Sequence, residues 1–171
     1  EPKMAGLMLS AIISDTLLLK SPTTTEKDKK ALEALSKIAN IDVNTYGLEM
    51  LKAGTNLDKY TEAELINLDA KKVEKENATY VIAQVNTVCI PDVLKRKAKL
   101  EEEINKVIEE KGLDLFVFVI TDIVNSNSEA IVLGNRTDAI SKDYELNDHV
   151  AVMPGVVSRK KQVLPLIEKN I

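Results

Sequence analysis

Leu115-Phe116-Val117-Phe118-Val119-Ile120-Thr121-Asp122-Ile123-Val124 is an almost unbroken series of β-branched and aromatic side chains. Its length and residue types predict a strand rather than a helix. The polar residues 125–128 then read as a turn, and Glu129–Leu133 as a returning strand. Upstream, residues 79–88 (Thr-Tyr-Val-Ile-Ala-Gln-Val-Asn-Thr-Val) and 69–76 suit two further strands joined near Asn77. A last strand is expected near His149–Met153. Between the second and third of these, Pro91 opens a long charged helix that Gly112 ends. Its buried stripe is Leu94, Leu100, Ile104, Val107 and Ile108. Helix and strand intermix after residue 61, so the fold class is α/β, with a mixed sheet flanked by helices.

Toward the N-terminus the pattern is purely helical. Met4 to Leu19 is apolar on nearly all sides, which reads as a buried helix. Thr25 and Asp28 mark the entry to a second helix, whose core face is Ala31, Leu32, Leu35, Ile38 and Ala39. A third runs from Val43 to Ala53, capped by Asp42 and stopped by Gly54. Residues 55–61 are polar and aperiodic, a linker. Thr61 with Glu64 then forms a capping box for a short helix to Asn67.

The 171 residues suffice for one ordinary domain, or a small domain and part of another. With no Trp and few other aromatics, aliphatic side chains must fill the core. The net charge of −4 argues against general nucleic-acid binding but leaves room for a local basic site. Cys89 and His149 are the only residues of their kinds. They exclude a disulfide framework and argue against a self-contained catalytic metal centre. Ser10, Ser14 and Asp15 make the first apolar run too polar to span a membrane. No signal-peptide pattern is present, so the expected location is cytoplasmic.

Few residues stand out for chemistry. Asp15 has Ala11, Ile12, Leu18 and Leu19 at helical spacing, an environment that disfavours a carboxylate unless a cation, metal or donor pairs with it. Ser158-Arg159-Lys160-Lys161 places three consecutive cations between apolar segments. Arg159 offers a planar fork for phosphate oxygens and Lys160 a mobile point charge; a solvated face is the plainer reading. Lys71 and Lys72 follow Asp69 at a strand start, ordinary for a strand edge. His149, Cys89, Asp122, Gln84 and Asn86 each read as structural.

Taken in order, the strings at 5–23 (Ala-Gly-Leu-Met-Leu-Ser-Ala-Ile-Ile-Ser-Asp-Thr-Leu-Leu-Leu-Lys-Ser-Pro-Thr), 69–71 (Asp-Ala-Lys), 83–88 (Ala-Gln-Val-Asn-Thr-Val), 121–129 (Thr-Asp-Ile-Val-Asn-Ser-Asn-Ser-Glu) and 158–163 (Ser-Arg-Lys-Lys-Gln-Val) are similar to one family. The chain resembles the C-terminal part of the family II, manganese-dependent inorganic pyrophosphatases of the DHH phosphoesterase superfamily. The resemblance implies that Asp15 is a metal ligand and that Lys71, Arg159 and Lys160 bind substrate, with Lys72 the neighbouring alternative to Lys71. The family's His-x-Asp-x-Asp and Asp-His-His motifs are absent. They are expected upstream in an N-terminal DHH domain, of which residues 1–54 look like the last helices. Residues 62–171 look like the substrate-binding C-terminal domain.

The activity so implied is hydrolysis of inorganic diphosphate to two phosphates by two metal ions, Mn2+ with Mg2+ or Co2+ as alternatives. Those ions would be bound mostly by residues outside this chain, which alone is expected to be inactive. An exopolyphosphatase of the same superfamily is the nearest competing reading, and a non-catalytic phosphate-binding or regulatory fragment the next. The apolar first helix would be exposed in isolation, which also makes homodimerisation an expectation.

Overall fold

The computed structural model describes residues 1–171, which divide into two compact units, Glu1–Asn56 and Leu57–Ile171. The division falls inside the polar stretch 55–61.

The first unit is three helices: α1 (Pro2–Thr16), α2 (Glu26–Ala39) and α3 (Val43–Gly54). The capping box of α2 forms as the sequence predicts, with Thr25 and Asp28 exchanging side-chain and backbone bonds. Asp42 caps α3 by accepting from the Thr45 amide at 2.8 Å. Two expectations need correction. α1 is not buried all round: Ala5, Leu9, Ile13 and Thr16 are buried, whereas Met4, Leu7 and Met8 are exposed. A single stripe suffices because α1 meets only α2 and α3 within its unit. Ile38 of α2 is likewise exposed.

α1 also stops at Thr16 rather than Leu19. The Thr16 hydroxyl donates to Ile12 O at 2.6 Å and accepts the Leu19 amide at 3.1 Å, so it competes with the helix ladder. Leu17, Leu18 and Leu19 then all take left-handed conformations, each costing about 1–2 kcal/mol. Packing offsets part of this. Leu18 fills the space over Gly47, where any added Cβ would collide with it.

The second unit is built on a six-stranded sheet of order β1-β2-β3-β4-β6-β5. The strands are β1 (Ala70–Glu74), β2 (Thr79–Thr87), β3 (Leu115–Asp122), β4 (Asn127–Gly134), β5 (Leu146–Asn147) and β6 (Val150–Met153). Only β2 and β3 run parallel, and the connection between them carries α5 (Ile90–Leu94) and α6 (Lys97–Lys111). β3 is covered on both faces, which explains its continuous apolar run. One face packs Leu65 and Ile66, at the end of the short α4 (Glu62–Leu65), together with Leu100 and Ile104 of α6. The other packs Ala139 and Ile140 of α7 (Asp138–Ser141), Ile167 of α8 (Leu164–Asn170), and Val156 and Val163.

The single helix expected from Pro91 to Gly112 is broken at Lys95–Arg96. The break has a visible consequence. Arg96 turns its guanidinium to Glu62 at 3.0 Å and to the carbonyls of Leu57 and Tyr60, fastening the start of this unit to α6. The Arg96 hydrogen bond holds the Glu62 carboxyl below its ordinary value. No helix is long and apolar enough to cross a membrane.

Asp114 ties the sheet together at one end. It exchanges bonds with Thr79 at the start of β2 and accepts from the Arg136 amide just past β4. Gly134 passes directly over it at φ 120°, and a Cβ at that position would run into the Asp114 carbonyl. Gly134→Ala is therefore expected to destabilise this unit by about 1–3 kcal/mol, read as a lower midpoint in urea unfolding.

Candidate phosphate-binding site

On one face of β2, β3 and β4, the polar side chains Gln84, Thr121 and Ser128 lie side by side after apolar ones. They form a hydrogen-bonded row. Ser128 Oγ donates to Val156 O at 2.6 Å. A hydroxyl has one hydrogen, so in the 2.8 Å contact between Thr121 and Ser128 the donor is Thr121. Thr121 in turn accepts from Gln84 Nε2 at 2.8 Å, and the same amide nitrogen donates to Val157 O at 3.1 Å. The order is thereby set from Gln84 through Thr121 and Ser128 to the chain above them.

That chain is the segment Gly155–Ser158, which crosses the sheet face from β4 toward β1. Its amides are gripped as firmly as its carbonyls. Gln162 Oε1 accepts from Val157 N at 2.9 Å and Ser158 N at 3.0 Å, and Gln162 Nε2 donates to Gly155 O at 3.0 Å. Gly155 N donates to Asn127 Oδ1 and Val156 N to Met153 O. The Ser158 carbonyl accepts from both Gln162 N and Val163 N. Every backbone polar group of the four residues is satisfied, so a change of conformation here would have to break several hydrogen bonds.

A wide π-helical turn, Arg159–Val163, comes next in the chain and leads into α8. Ser158 caps it through the Lys161 amide at 3.2 Å. Arg159 reaches the far edge of the sheet, where Nη1 donates to Asp69 O at 2.7 Å and lies 2.8 Å from Asp69 Oδ1. It also donates to Ile82 O at 3.4 Å. Lys160, next in the turn, is exposed and forms no ion pair.

The register of β1 on β2 decides between the two adjacent lysines. Lys71 lies directly opposite Ile82, and Lys72 opposite Val81. Opposed residues of an antiparallel pair project to the same face. Ile82 belongs to the apolar cluster that also contains Val163 and Ile167, whereas Val81 belongs to the cluster on the opposite face. Lys71 therefore emerges on the face that carries the basic turn, and Lys72 on the other, where it pairs with Glu74 at 2.6 Å. Arg159, bonded to Asp69 and Ile82, stands beside Lys71. Lys71 and Arg159 thus share one end of β1–β2, and the exposed Lys160 follows Arg159 in the turn. Of these only Arg159 has an acidic partner.

The remaining candidates fall elsewhere. Asp15 belongs to the first unit, where it is exposed near the end of α1 and its carboxylate makes no hydrogen bond. The burial that its spacing suggests does not occur, because α1 turns that side outward. No three of His, Cys, Asp or Glu gather closely enough to hold a metal ion. Asp15 offers at most one ligand, and the residues present do not make a metal centre. His149 pairs with Glu101 at 2.9 Å and, with Asp148, forms the two-residue turn between β5 and β6. Asp122 organises the turn after β3 by accepting from the amides of Val124 and Asn125. A cleft of about 540 Å³ at the carboxyl ends of β2 and β3 includes Cys89, Asp122 and Glu129 but no Lys or Arg, so it does not suit an anion.

Sequence reading gives no role to Gln162 or Asp69. The only signal for Gln162 is its place directly after the cations, and its bond to two successive amides is not visible in the sequence. Gln84 does have the structural role expected of it; Asn86 makes no side-chain hydrogen bond.

A model of the DHHA2 domain family matches residues 48–170. A Brevibacillus brevis protein named "Probable manganese-dependent inorganic pyrophosphatase" is 55% identical over 167 residues, covering 96% of this chain and 54% of that relative. One of the same name from Lactiplantibacillus plantarum is 55% identical over 165 residues, covering 95% of this chain and 53% of its own length. A solved Methanococcus jannaschii structure, whose name places it with the family II inorganic pyrophosphatases, superposes with a TM-score of 0.87 at 39% identity. That match covers 99% of this chain and 56% of the other. The chain spans about half the length of the curated relatives it matches.

If Gln162 clamps the segment, Gln162→Ala should expose the Val157 and Ser158 amides together. Hydrogen exchange followed by NMR is expected to show both losing protection while amides within β3 keep theirs.

Proposed function

The chain belongs to the DHHA2 domain family, and on that premise we propose that it is the phosphate-gripping C-terminal part of a manganese-dependent inorganic pyrophosphatase. The observation that carries this reading is that Lys71 lies on the sheet face that carries the turn of Arg159 and Lys160. Diphosphate is a small, densely charged anion, and the chief physical task in hydrolysing it is to stabilise charge on the phosphoryl oxygens. Arg159 supplies a planar fork; Lys71 and Lys160 supply point charges without acidic partners to compete with the ligand.

The relatives of this chain are named for their manganese dependence. The metal ions supply a hydroxide nucleophile at neutral pH. In this reading Asp15 contributes a single ligand, and the remaining ligands come from residues outside the chain, in the DHH domain to which residues 1–54 belong. The chain's own part is to bind the anion, orient it and offset its charge as the leaving phosphate departs. Residues 55–61 are the linker that precedes the cationic domain.

The test is made on the full-length protein that carries this sequence. It is expected to release phosphate from diphosphate with Mn2+ and to prefer diphosphate to long-chain polyphosphate. Arg159→Ala should lower kcat/KM on diphosphate by about a hundredfold without unfolding the protein, the scale of losing one donor to developing charge. The 171 residues alone should release none. An unchanged rate in Arg159→Ala at every diphosphate concentration would remove the clamp from the mechanism.

A further inference from the structure

A guanidinium carries five N–H donors in a fixed plane, and in Arg159 they are used unequally. Nη1 has two hydrogens and faces three acceptors: Asp69 O at 2.7 Å, Asp69 Oδ1 at 2.8 Å and Ile82 O at 3.4 Å. It is saturated. Nε and Nη2 make no hydrogen bond within the protein, although the side chain is only 22% exposed. We infer that Asp69 is a positioning residue, which turns Arg159 so that its Nε–Nη2 edge alone is offered to a phosphate group. This inference rests on the reading of Arg159 as a diphosphate clamp.

The geometry supports the assignment from both sides. The Nε–H and one Nη2–H are parallel, and this edge matches two oxygens of one phosphoryl group. Asp69 is itself fixed, because its carbonyl also accepts the Gln84 amide at 3.0 Å. That amide belongs to the residue whose side chain begins the polar row beneath the basic turn. Arg159 is therefore anchored at its backbone through Val157 and Ser158 and at its tip through Asp69, with both anchors traced to Gln84. The long Ile82 contact is a weak one, so the pair of Asp69 oxygens is what stops the plane from rotating.

An acidic side chain beside an anion site opposes binding by simple Coulomb repulsion. A surface ion pair made only for stability would contribute little here. Asp69 makes chemical sense at this place if alignment of the fork outweighs that repulsion. The claim then concerns where on Arg159 the anion lands, which is distinct from how tightly the whole basic patch attracts it.

The experiment is 15N NMR of the Arg159 side chain in the 171-residue chain, titrated with inorganic diphosphate at millimolar concentration. In the wild-type chain the Nε and Nη2 resonances are expected to move and Nη1 to stay. Asp69→Ala should spread the response to Nη1 and reduce the Nε displacement by about threefold, as a fork held by two Asp69 oxygens is left with the backbone one alone. Asp69→Asn keeps an Oδ1 acceptor and should recover the wild-type pattern. Methyl resonances of Ile82 and Val163 report that the fold is intact in each variant. A wild-type pattern in Asp69→Ala, or an Asp69→Asn variant that behaves like it, overturns the positioning role and leaves the clamp standing. No response at Lys71, Arg159 or Lys160 in the wild-type chain overturns the clamp and this inference together.

Discussion

Four backbone residues, Gly155–Ser158, have to lie across the face of a sheet without leaving a polar group unpaired, and the rest of the site depends on how that is achieved. Burying an unpaired amide or carbonyl costs about 1–3 kcal/mol. A strand laid beside another strand would pair these groups by its own ladder; a segment crossing over the sheet cannot. Here the carbonyls of Val156 and Val157 are met by Ser128 and Gln84 from below. The amides of Val157 and Ser158 are met by Gln162 from the same segment's own next turn. The widened π turn is part of this solution, since Ser158 O accepts from both Gln162 N and Val163 N. A regular α turn has one such bond per carbonyl and would place Gln162 differently.

Rigidity at this point matters because of the two side chains that come directly after it. Arg159 and Lys160 are long and rich in rotamer entropy, and in the proposed function that entropy is lost when an anion is bound. Fixing the backbone beneath them, and the tip of Arg159 against Asp69, moves part of that loss into folding. Lys71 arrives from a different element, β1, but its position is set by the same residues. Its cross-strand partner Ile82 accepts from Arg159, and Asp69 lies two positions before it. The cations are thus related to one another through the sheet, and their spacing does not depend on a mobile loop.

Much of this architecture is legible in the sequence, and the parts that are not share a cause. The capping boxes at Thr25 and Thr61, the Asp42 cap and the four principal strands are local features, and each appears where the pattern puts it. The break between α5 and α6 is not local: Arg96 is drawn to carbonyls at Leu57 and Tyr60, far back in the chain. The exposure of Met4, Leu7 and Met8 likewise depends on what packs against α1, which an apolar run cannot state. The choice between Lys71 and Lys72 illustrates the limit most clearly. A one-residue shift exchanges the two faces of a strand, so only the pairing of β1 with β2 separates a lysine beside Arg159 from one paired to Glu74. Gln84, Thr121 and Ser128 are visible as polar breaks in apolar strands. Their alignment into one row requires the register of all three strands.

The division of charge within the chain bears on the proposed function. The overall charge is negative, yet Lys71 and Arg159 share one face of the sheet, with Asp69 bound to Nη1 as the counter-charge. In the proposed function the repulsion between these cations is offset by a dense anion bound beside them. Such a patch binds and orients an anion, but it brings no nucleophile and no group able to deprotonate water near neutral pH. Asp15 is a solitary carboxylate, and no cluster of metal-binding side chains accompanies it; in the proposed function that task falls to residues outside these 171. The crossing segment, with its amides and carbonyls paired, holds the backbone from which Arg159 and Lys160 extend.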